Sequence, residues 1–226
     1  MERVSSVDVL RGSAIVLMVI YHILFDIYLF GMADIDLYGL PLVLFQRLIG
    51  GMFLLLVGVS IVLSEKRNQE GYIHHARRAG KLALIALLIT AVTWIYPHEG
   101  FIRFGIIHMI ALSTLIAPLF LRLGKLNIIL GILIILAGLQ IHYTDIDYLF
   151  WLGLIRYDYM AYDHYSMVPW FGMVLIGIEL GKKIDLWKDI VPKNALLSFL
   201  GRNSLAIYLI HQPLLIGALL LSARIF

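Results

Sequence analysis

Residues 4–30 read VSSVDVLRGSAIVLMVIYHILFDIYLF. From position 9 to position 30 this stretch is almost entirely apolar, and about 20 such residues in a helix cross the hydrocarbon core of a bilayer. The run is interrupted by ionisable side chains, which are costly at membrane depth and by default mark a functional interior. The sequence therefore predicts a membrane-spanning helix that carries a polar stripe.

The composition of the whole chain extends this prediction beyond the first helix. Of the 226 residues, 61% are hydrophobic and 15% are charged, against about 45–50% and about 25% in typical soluble domains. A soluble domain of this size needs a polar surface, so the composition excludes a soluble globular protein. The basic residues fall in short gaps between apolar runs, which indicates membrane topology rather than nucleic-acid binding.

Seven stretches are candidates for crossing the bilayer, although the fifth and sixth are short. We expect an all-α, polytopic membrane bundle of about seven transmembrane helices, a multi-pass protein of the cell membrane with one domain over residues 1–226. The apolar patch 148–155 is open to an interfacial or re-entrant role, so six or eight spans remain alternatives. The stretches cover 9–30, 41–63, 79–96, 104–121, 126–141, 167–180 and 205–221.

The distribution of Lys and Arg predicts the orientation of the bundle. With the N-terminus inside, thirteen of these residues lie on the cytoplasmic side and three lie outside, while two lie within apolar runs. Cytoplasmic loops carry an excess of Lys and Arg in membrane proteins. The count therefore favours a cytoplasmic N-terminus.

The first predicted span places four polar side chains on one face. At 100° per residue, Asp8, Arg11, His22 and Asp26 fall within about 60° of one another. Along the axis, Arg11 and His22 lie about 16 Å apart. Arg11 is thus predicted near the cytoplasmic rim, and His22 at or beyond the midplane.

The two ends of this stripe have different alternative explanations. Ser5, Ser6 or Asp8 would serve as a helix N-cap, with Arg11 reaching the headgroups, and Asp8 and Arg11 would then need no function. His22 and Asp26 are too deep for that explanation. A carboxylate one turn from an imidazole is an arrangement that orients a working histidine, so we favour a functional role there.

Three other predicted spans contribute polar groups that would converge with His22 in the outer half of the bilayer. We expect these groups to line a polar cavity between the first, second, fourth and seventh spans. They are Arg47, His108, His211 and Gln212.

Structural explanations remain open for these groups. Arg47 would pair with Asp26 as a buried ion pair, and His211 would bond Tyr208 or a backbone carbonyl freed by Pro213. Six glycines are predicted as close-packing positions between helices; they are Gly50, Gly51, Gly58, Gly172, Gly177 and Gly181.

Metal and thiol chemistry find no support in the sequence. The chain has no cysteine, which excludes disulfides, thiolate metal sites and a cysteine nucleophile. Its histidines are spread over separate segments without a local ligand spacing such as H-E-x-x-H. We therefore expect no metal site.

Several distinctive blocks stand in order along nearly the whole chain. They are Arg3, Ser5–Asp8, Leu10, Arg11 and Gly12 with His22, then FLLLVGVS (53–60), FGIIHMIALS (104–113), VPWFG (168–172) and GRNSLAIYLIHQP (201–213). Together they resemble the short prokaryotic members of the heparan-alpha-glucosaminide N-acetyltransferase catalytic-domain family. Arg11 and His22, with ten residues between them, also look like the Arg-x10-His pattern of membrane acyltransferases that modify sugars.

The resemblance implies a transmembrane acyltransferase that moves an acyl group, typically acetyl, from cytoplasmic acetyl-CoA to an amine or hydroxyl of a sugar beyond the membrane. His22 would be the catalytic base or the transient acyl acceptor, and Asp26 would hold its tautomer. Arg11, with Asp8 beside it, would contact the cofactor. The implied partners are the bilayer and a sugar or glycolipid acceptor. A homo-oligomer or a partner subunit is left open, because the sugar acyltransferases usually have ten or more spans.

A transporter or flippase is the alternative, since buried Asp, His and Arg side chains also serve proton relays. It lacks the inverted pair of Gly- or Pro-broken spans found in many transporters. A retinal protein is excluded, because residues 205–221 contain no Lys for a Schiff base.

Overall fold

The computed structural model describes residues 4–67, 71–140, 143, 144 and 148–225, and within them it contains helices and turns but no strand. The all-α prediction is confirmed for this part of the chain. The helices are α1 (Ser5–Leu29), α2 (Leu40–Arg67), α3 (Tyr72–Ile95), α4 (Ile106–Ile116) with a 3-10 turn (Ala117–Phe120), α5 (Leu126–Gln140), α6 (Met167–Lys182), α7 (Ile184–Trp187), α8 (Ala195–Arg202) and α9 (Ser204–Ile225).

Four of the described helices, α1, α2, α3 and α9, are long and apolar enough to cross a membrane. Two others, α4 with its 3-10 extension and α5, are apolar but shorter. The seven spans and the cytoplasmic N-terminus stay predictions.

The chain forms two compact units, the first Leu54–Ile184 and the second Glu2–Phe53 with Asp185–Phe226. The continuous helix α2 contributes its beginning to the second unit and its end to the first. One domain over residues 1–226 stays a prediction.

Glycines set the helix spacing in the first unit. A side chain at Gly177 on α6 would overlap the carbonyl oxygen of Leu55 on α2, and one at Gly58 would overlap that of Val174. On the other side of α6, Gly172 faces Gly131 of α5 in the same way. Small residues allow such close backbone approach, so the predicted packing role is confirmed at positions 58, 172 and 177, as it is for Gly181 against Val59.

In the second unit, α1 lies against α8 and α9. Gly12 of α1 and Gly201 of α8 bring two backbones together, because a side chain at Gly12 would overlap the carbonyl oxygen of Leu197. Further along α1, an apolar cluster centres on Ile15, Met18 and Ile49. These contacts hold the polar face of α1 against α8 at one end and against α9 at the other.

We predict that Gly12→Ala lowers the thermal unfolding midpoint of the purified protein in detergent, because the added methyl group has no space at the α1–α8 contact. Overpacking of this kind costs about 1–3 kcal/mol. Gly80→Ala is the matched control, since Gly80 lies inside α3 with open space around it. That control should be neutral or stabilising by up to about 1 kcal/mol. Equal stability of the two variants would contradict the close contact.

Candidate functional site

The first turn of α1 holds an ion pair rather than a cap. The helix begins at Ser5, and its N-cap residue Val4 makes no side-chain cap, so the N-cap explanation of Ser5, Ser6 and Asp8 is wrong. Asp8 is buried and accepts a hydrogen bond from Nη1 of Arg11 at 3.0 Å. The same guanidinium nitrogen lies 3.5 Å from the carbonyl oxygen of Gly201. Arg11 is therefore held at the α1–α8 contact, with 22% of its side chain exposed.

Two histidines meet between α1 and α9. The ring centroids of His22 and His211 are 4.6 Å apart, and the rings are nearly perpendicular, at 81°. Nδ1 of His22 lies 2.9 Å from the carbonyl oxygen of Met18, and Nδ1 of His211 contacts the carbonyl oxygen of Tyr208. A carbonyl only accepts, so each Nδ1 carries the proton and each Nε2 keeps a lone pair. Of the two structural explanations left open for His211, the bond to Tyr208 is confirmed, and it is made to the backbone carbonyl.

The carboxylate of Asp26 has a different partner from the one predicted. Asp26 is fully buried, and its Oδ1 accepts a hydrogen bond from Nε2 of Gln212 at 2.6 Å. The prediction that Asp26 holds the tautomer of His22 is wrong in this structure, because the carbonyl of Met18 makes that contact one turn earlier. Asp26 and Gln212 instead join α1 to α9 beside the two imidazoles.

Three atoms of this cluster are buried without a hydrogen-bond partner in the part of the chain that the structure describes. They are Oδ2 of Asp26, Nε2 of His211 and Oε1 of Gln212. Buried polar atoms are nearly always paired, so such a concentration calls for an explanation in terms of a ligand, a water or a reaction step.

Arg47 lies on α2 in the same unit but stands apart from this cluster. Its side chain is exposed, and within the described ranges it forms no ion pair with Asp26. The hypothesis of a buried Arg47–Asp26 pair is therefore wrong. A role for Arg47 in a cavity stays a prediction.

His108 belongs to the first unit, where it stabilises the start of α4. Its Nδ1 accepts a hydrogen bond from the backbone N–H of Gly105 at 3.2 Å. Its Nε2 lies 3.1 Å from the hydroxyl of Thr90, which itself donates to the carbonyl of Ile102. Both ring nitrogens thus serve the local structure, and the predicted convergence of His108 with His22 stays a prediction.

Loop residues form a further polar cluster in the first unit. Asp163 accepts the backbone N–H of Ile106 at 2.9 Å, and the hydroxyl of Tyr159 lies 3.1 Å from Nδ1 of His164. Burial lowers the pKa of His164 to about 4. The guanidinium of Arg103 lies over the Tyr159 ring, 5.5 Å from its centroid. The only signal in the sequence is the density of tyrosines in this stretch.

Two polar features of the same unit were not predicted from the sequence. Asn127 of α5 is fully buried and donates to Glu179 of α6 at 3.0 Å, and Lys182 pairs with the same carboxylate. Separately, a cavity of about 360 Å³ contains none of the predicted site residues; its lining is Glu65, Tyr72, Pro118, Leu119, Leu121 and Arg122. No cluster of three or more metal-ligating side chains occurs among the residues described.

The comparison with known families agrees with the resemblance found in the sequence. Residues 3–213 match the family described as heparan-alpha-glucosaminide N-acetyltransferase, catalytic. No curated protein and no solved structure matches the chain. The family match includes the polar face of α1 and the α9 residues His211 and Gln212.

Proposed function

The chain belongs to the heparan-alpha-glucosaminide N-acetyltransferase catalytic-domain family, and from that premise we propose that it transfers an acetyl group from cytoplasmic acetyl-CoA to a sugar-type acceptor beyond the membrane. Membership makes it a membrane protein of a transmembrane acetyltransferase family. The accepting group is an amine or a hydroxyl of a sugar or glycolipid. The bilayer is the surrounding partner, and a homo-oligomer or a second subunit completes the assembly if one is needed.

The observation that carries the proposal is the state of His22 on a helix long enough to cross the bilayer. Its ring is half-buried, its Nδ1 is tied to the Met18 carbonyl, and its Nε2 keeps a lone pair. A positioned neutral imidazole is the commonest general base in proteins, and it is also a competent acyl acceptor. His22 therefore has the chemistry that acyl transfer requires, in either of these roles.

Arg11 is proposed as the cofactor contact at the other end of the same face. CoA carries phosphate groups, and a guanidinium binds phosphate through several parallel N–H donors. Asp8 holds Arg11 from the preceding turn at 3.0 Å, which fixes its direction while part of the side chain stays exposed. The rise of an α-helix separates Arg11 from His22 by about 16 Å, a distance that an extended CoA arm spans.

The remaining groups of the site have proposed roles around His22. Asp26, fixed by Gln212, places negative charge near the two imidazoles and would stabilise a protonated His22. Arg47 is proposed to contact the acceptor. This arrangement rests on seven spans with a cytoplasmic N-terminus in the cell membrane, as the distribution of Lys and Arg favours.

We predict that His22→Gln lowers kcat for acetyl transfer by at least about 100-fold, because loss of a general base typically costs about 10²–10⁴-fold. The assay supplies labelled acetyl-CoA and a hexosamine or its glycolipid to purified protein in nanodiscs. His98→Gln is the matched control, since Nδ1 of His98 makes the same kind of backbone contact, to the Trp94 carbonyl at 2.8 Å, outside the site.

Full transfer activity in a folded His22→Gln variant would overturn the assignment of His22. The transporter alternative makes a different forecast for the wild type. A transporter would move the substrate across the membrane of proteoliposomes without acetyl-CoA and would form no acetylated product. Measuring substrate movement and acetylated product therefore separates the two functions.

The topology gives a second prediction, which the absence of native cysteine makes straightforward to test. With a cytoplasmic N-terminus and seven spans, a cysteine at Asp34 faces outward and one at Lys193 faces the cytoplasm. A membrane-impermeant maleimide should label Asp34→Cys in intact spheroplasts, and Lys193→Cys only after permeabilisation. The reverse pattern would contradict the proposed orientation.

A further inference from the structure

The His22–His211 contact supports a more specific role for the second imidazole. We propose that His211 is a positioning residue that shares with His22 the proton released by the acceptor, forming an Nε2–H–Nε2 bridge during acetyl transfer. This inference rests on the proposed function, and within it selects the role of His22 as base.

The cluster is composed of acceptors. Both histidines donate their Nδ1 protons to backbone carbonyls, so each Nε2 atom keeps a lone pair and can only accept. Oδ2 of Asp26 and Oε1 of Gln212 are also acceptors. Nε2 of Gln212 donates its hydrogen bond to Oδ1 of Asp26. Within the described part of the chain, the cluster therefore has more acceptor atoms than donated protons.

An added proton removes this imbalance. Nε2 of His211 is buried and has no partner among the described residues, whereas the ring of His22 is half-buried. A substrate therefore reaches His22 more readily than His211, while the two rings touch at a centroid distance of 4.6 Å. When Nε2 of His22 takes a proton, it becomes a donor, and the neighbouring ring of His211 carries the unpaired acceptor.

This hydrogen bond exists only in the protonated state, which is the condition for an interaction to accelerate a reaction. An interaction that is stronger in the transition state than in the ground state raises kcat, and one that is equal in both does not. His211 would thus act as a proton-sharing partner that leaves substrate binding unchanged and stabilises His22 as the proton arrives.

Aromatic rings and one carboxyl group surround the pair within the described part of the chain. On α1, Asp26 supplies a carboxylate and Tyr21 lies against His22, with ring centroids 5.9 Å apart. On α9, Tyr208 lies against His211 at 5.6 Å. The part of α2 in this unit adds Phe45 against Tyr21. Asp26 is the carboxyl group among these described neighbours, and in its charged form it would stabilise a shared proton.

The chemical step balances with the groups named. The acceptor oxygen or nitrogen attacks the thioester carbon, a new bond to that carbon forms, and the carbon–sulfur bond of acetyl-CoA breaks. The proton of the acceptor goes to Nε2 of His22 and is held between the two imidazoles. It then passes to the CoA thiolate, which leaves as the thiol, and both histidines return to their neutral state.

The direct test is NMR of protein labelled with ¹⁵N-histidine in nanodiscs during acid titration. The wild type should show one proton resonance coupled to the Nε2 nuclei of both His22 and His211. The resonance should be absent from His22→Gln and His211→Gln and present in the control His98→Gln, whose ring contacts are Trp94 and Phe101 rather than an imidazole. Independent protonation of the two rings in the wild type would overturn the proposal.

Kinetics supply the second arm. His211→Gln should lower kcat by about 10- to 100-fold with little change in KM for acetyl-CoA, less than the loss expected for the base itself. Added imidazole should restore part of the kcat of His211→Ala. An unchanged kcat, or a loss that imidazole does not restore in a folded variant, would contradict the role of His211. A shared proton in a wild type without transferase activity would refute the proposed function alone.

Discussion

The second unit depends on one constraint: polar side chains on an apolar, membrane-length helix must find their partners inside the protein, because hydrocarbon offers none. The ionisable side chains of the α1 polar face, Asp8, Arg11, His22 and Asp26, do so with a near neighbour or with a helix that packs against the same face. Arg11 pairs with Asp8, the His22 ring bonds the Met18 carbonyl, and Asp26 accepts from Gln212 of α9. The close contact at Gly12 holds α8 near one end of this face.

Local periodicity predicted the polar face of α1 and the packing role of several glycines, because both follow from helix geometry and side-chain size alone. The partner of Asp26 was not predictable in this way. Gln212 lies 186 positions further along the chain, and no local pattern favours it over Arg47 as the partner of Asp26. For His108, its bonds to Gly105 and Thr90 depend on how the chain turns between α3 and α4.

The Arg11 end and the His22 end of the α1 face differ in their chemistry, and acyl transfer needs both kinds of group. The Arg11 end presents a fixed cation to anionic groups, whereas the His22 end presents unprotonated nitrogens and a buried carboxylate. A donor with a phosphorylated carrier at one end and a reactive thioester at the other matches this order. The family match extends over both ends and over the α9 residues that complete the His22 cluster.

If one face of α1 separates cofactor binding from chemistry, the binding isotherm of acetyl-CoA will respond to one end of that face and not to the other. Purified wild type, Arg11→Ala and His22→Ala would be titrated in nanodiscs after confirming that each is folded. We predict saturable binding by the wild type, binding weakened at least about tenfold in Arg11→Ala through loss of charge-assisted hydrogen bonds, and binding retained in His22→Ala. No saturable binding by folded wild type, or binding lost in His22→Ala and kept in Arg11→Ala, would contradict it.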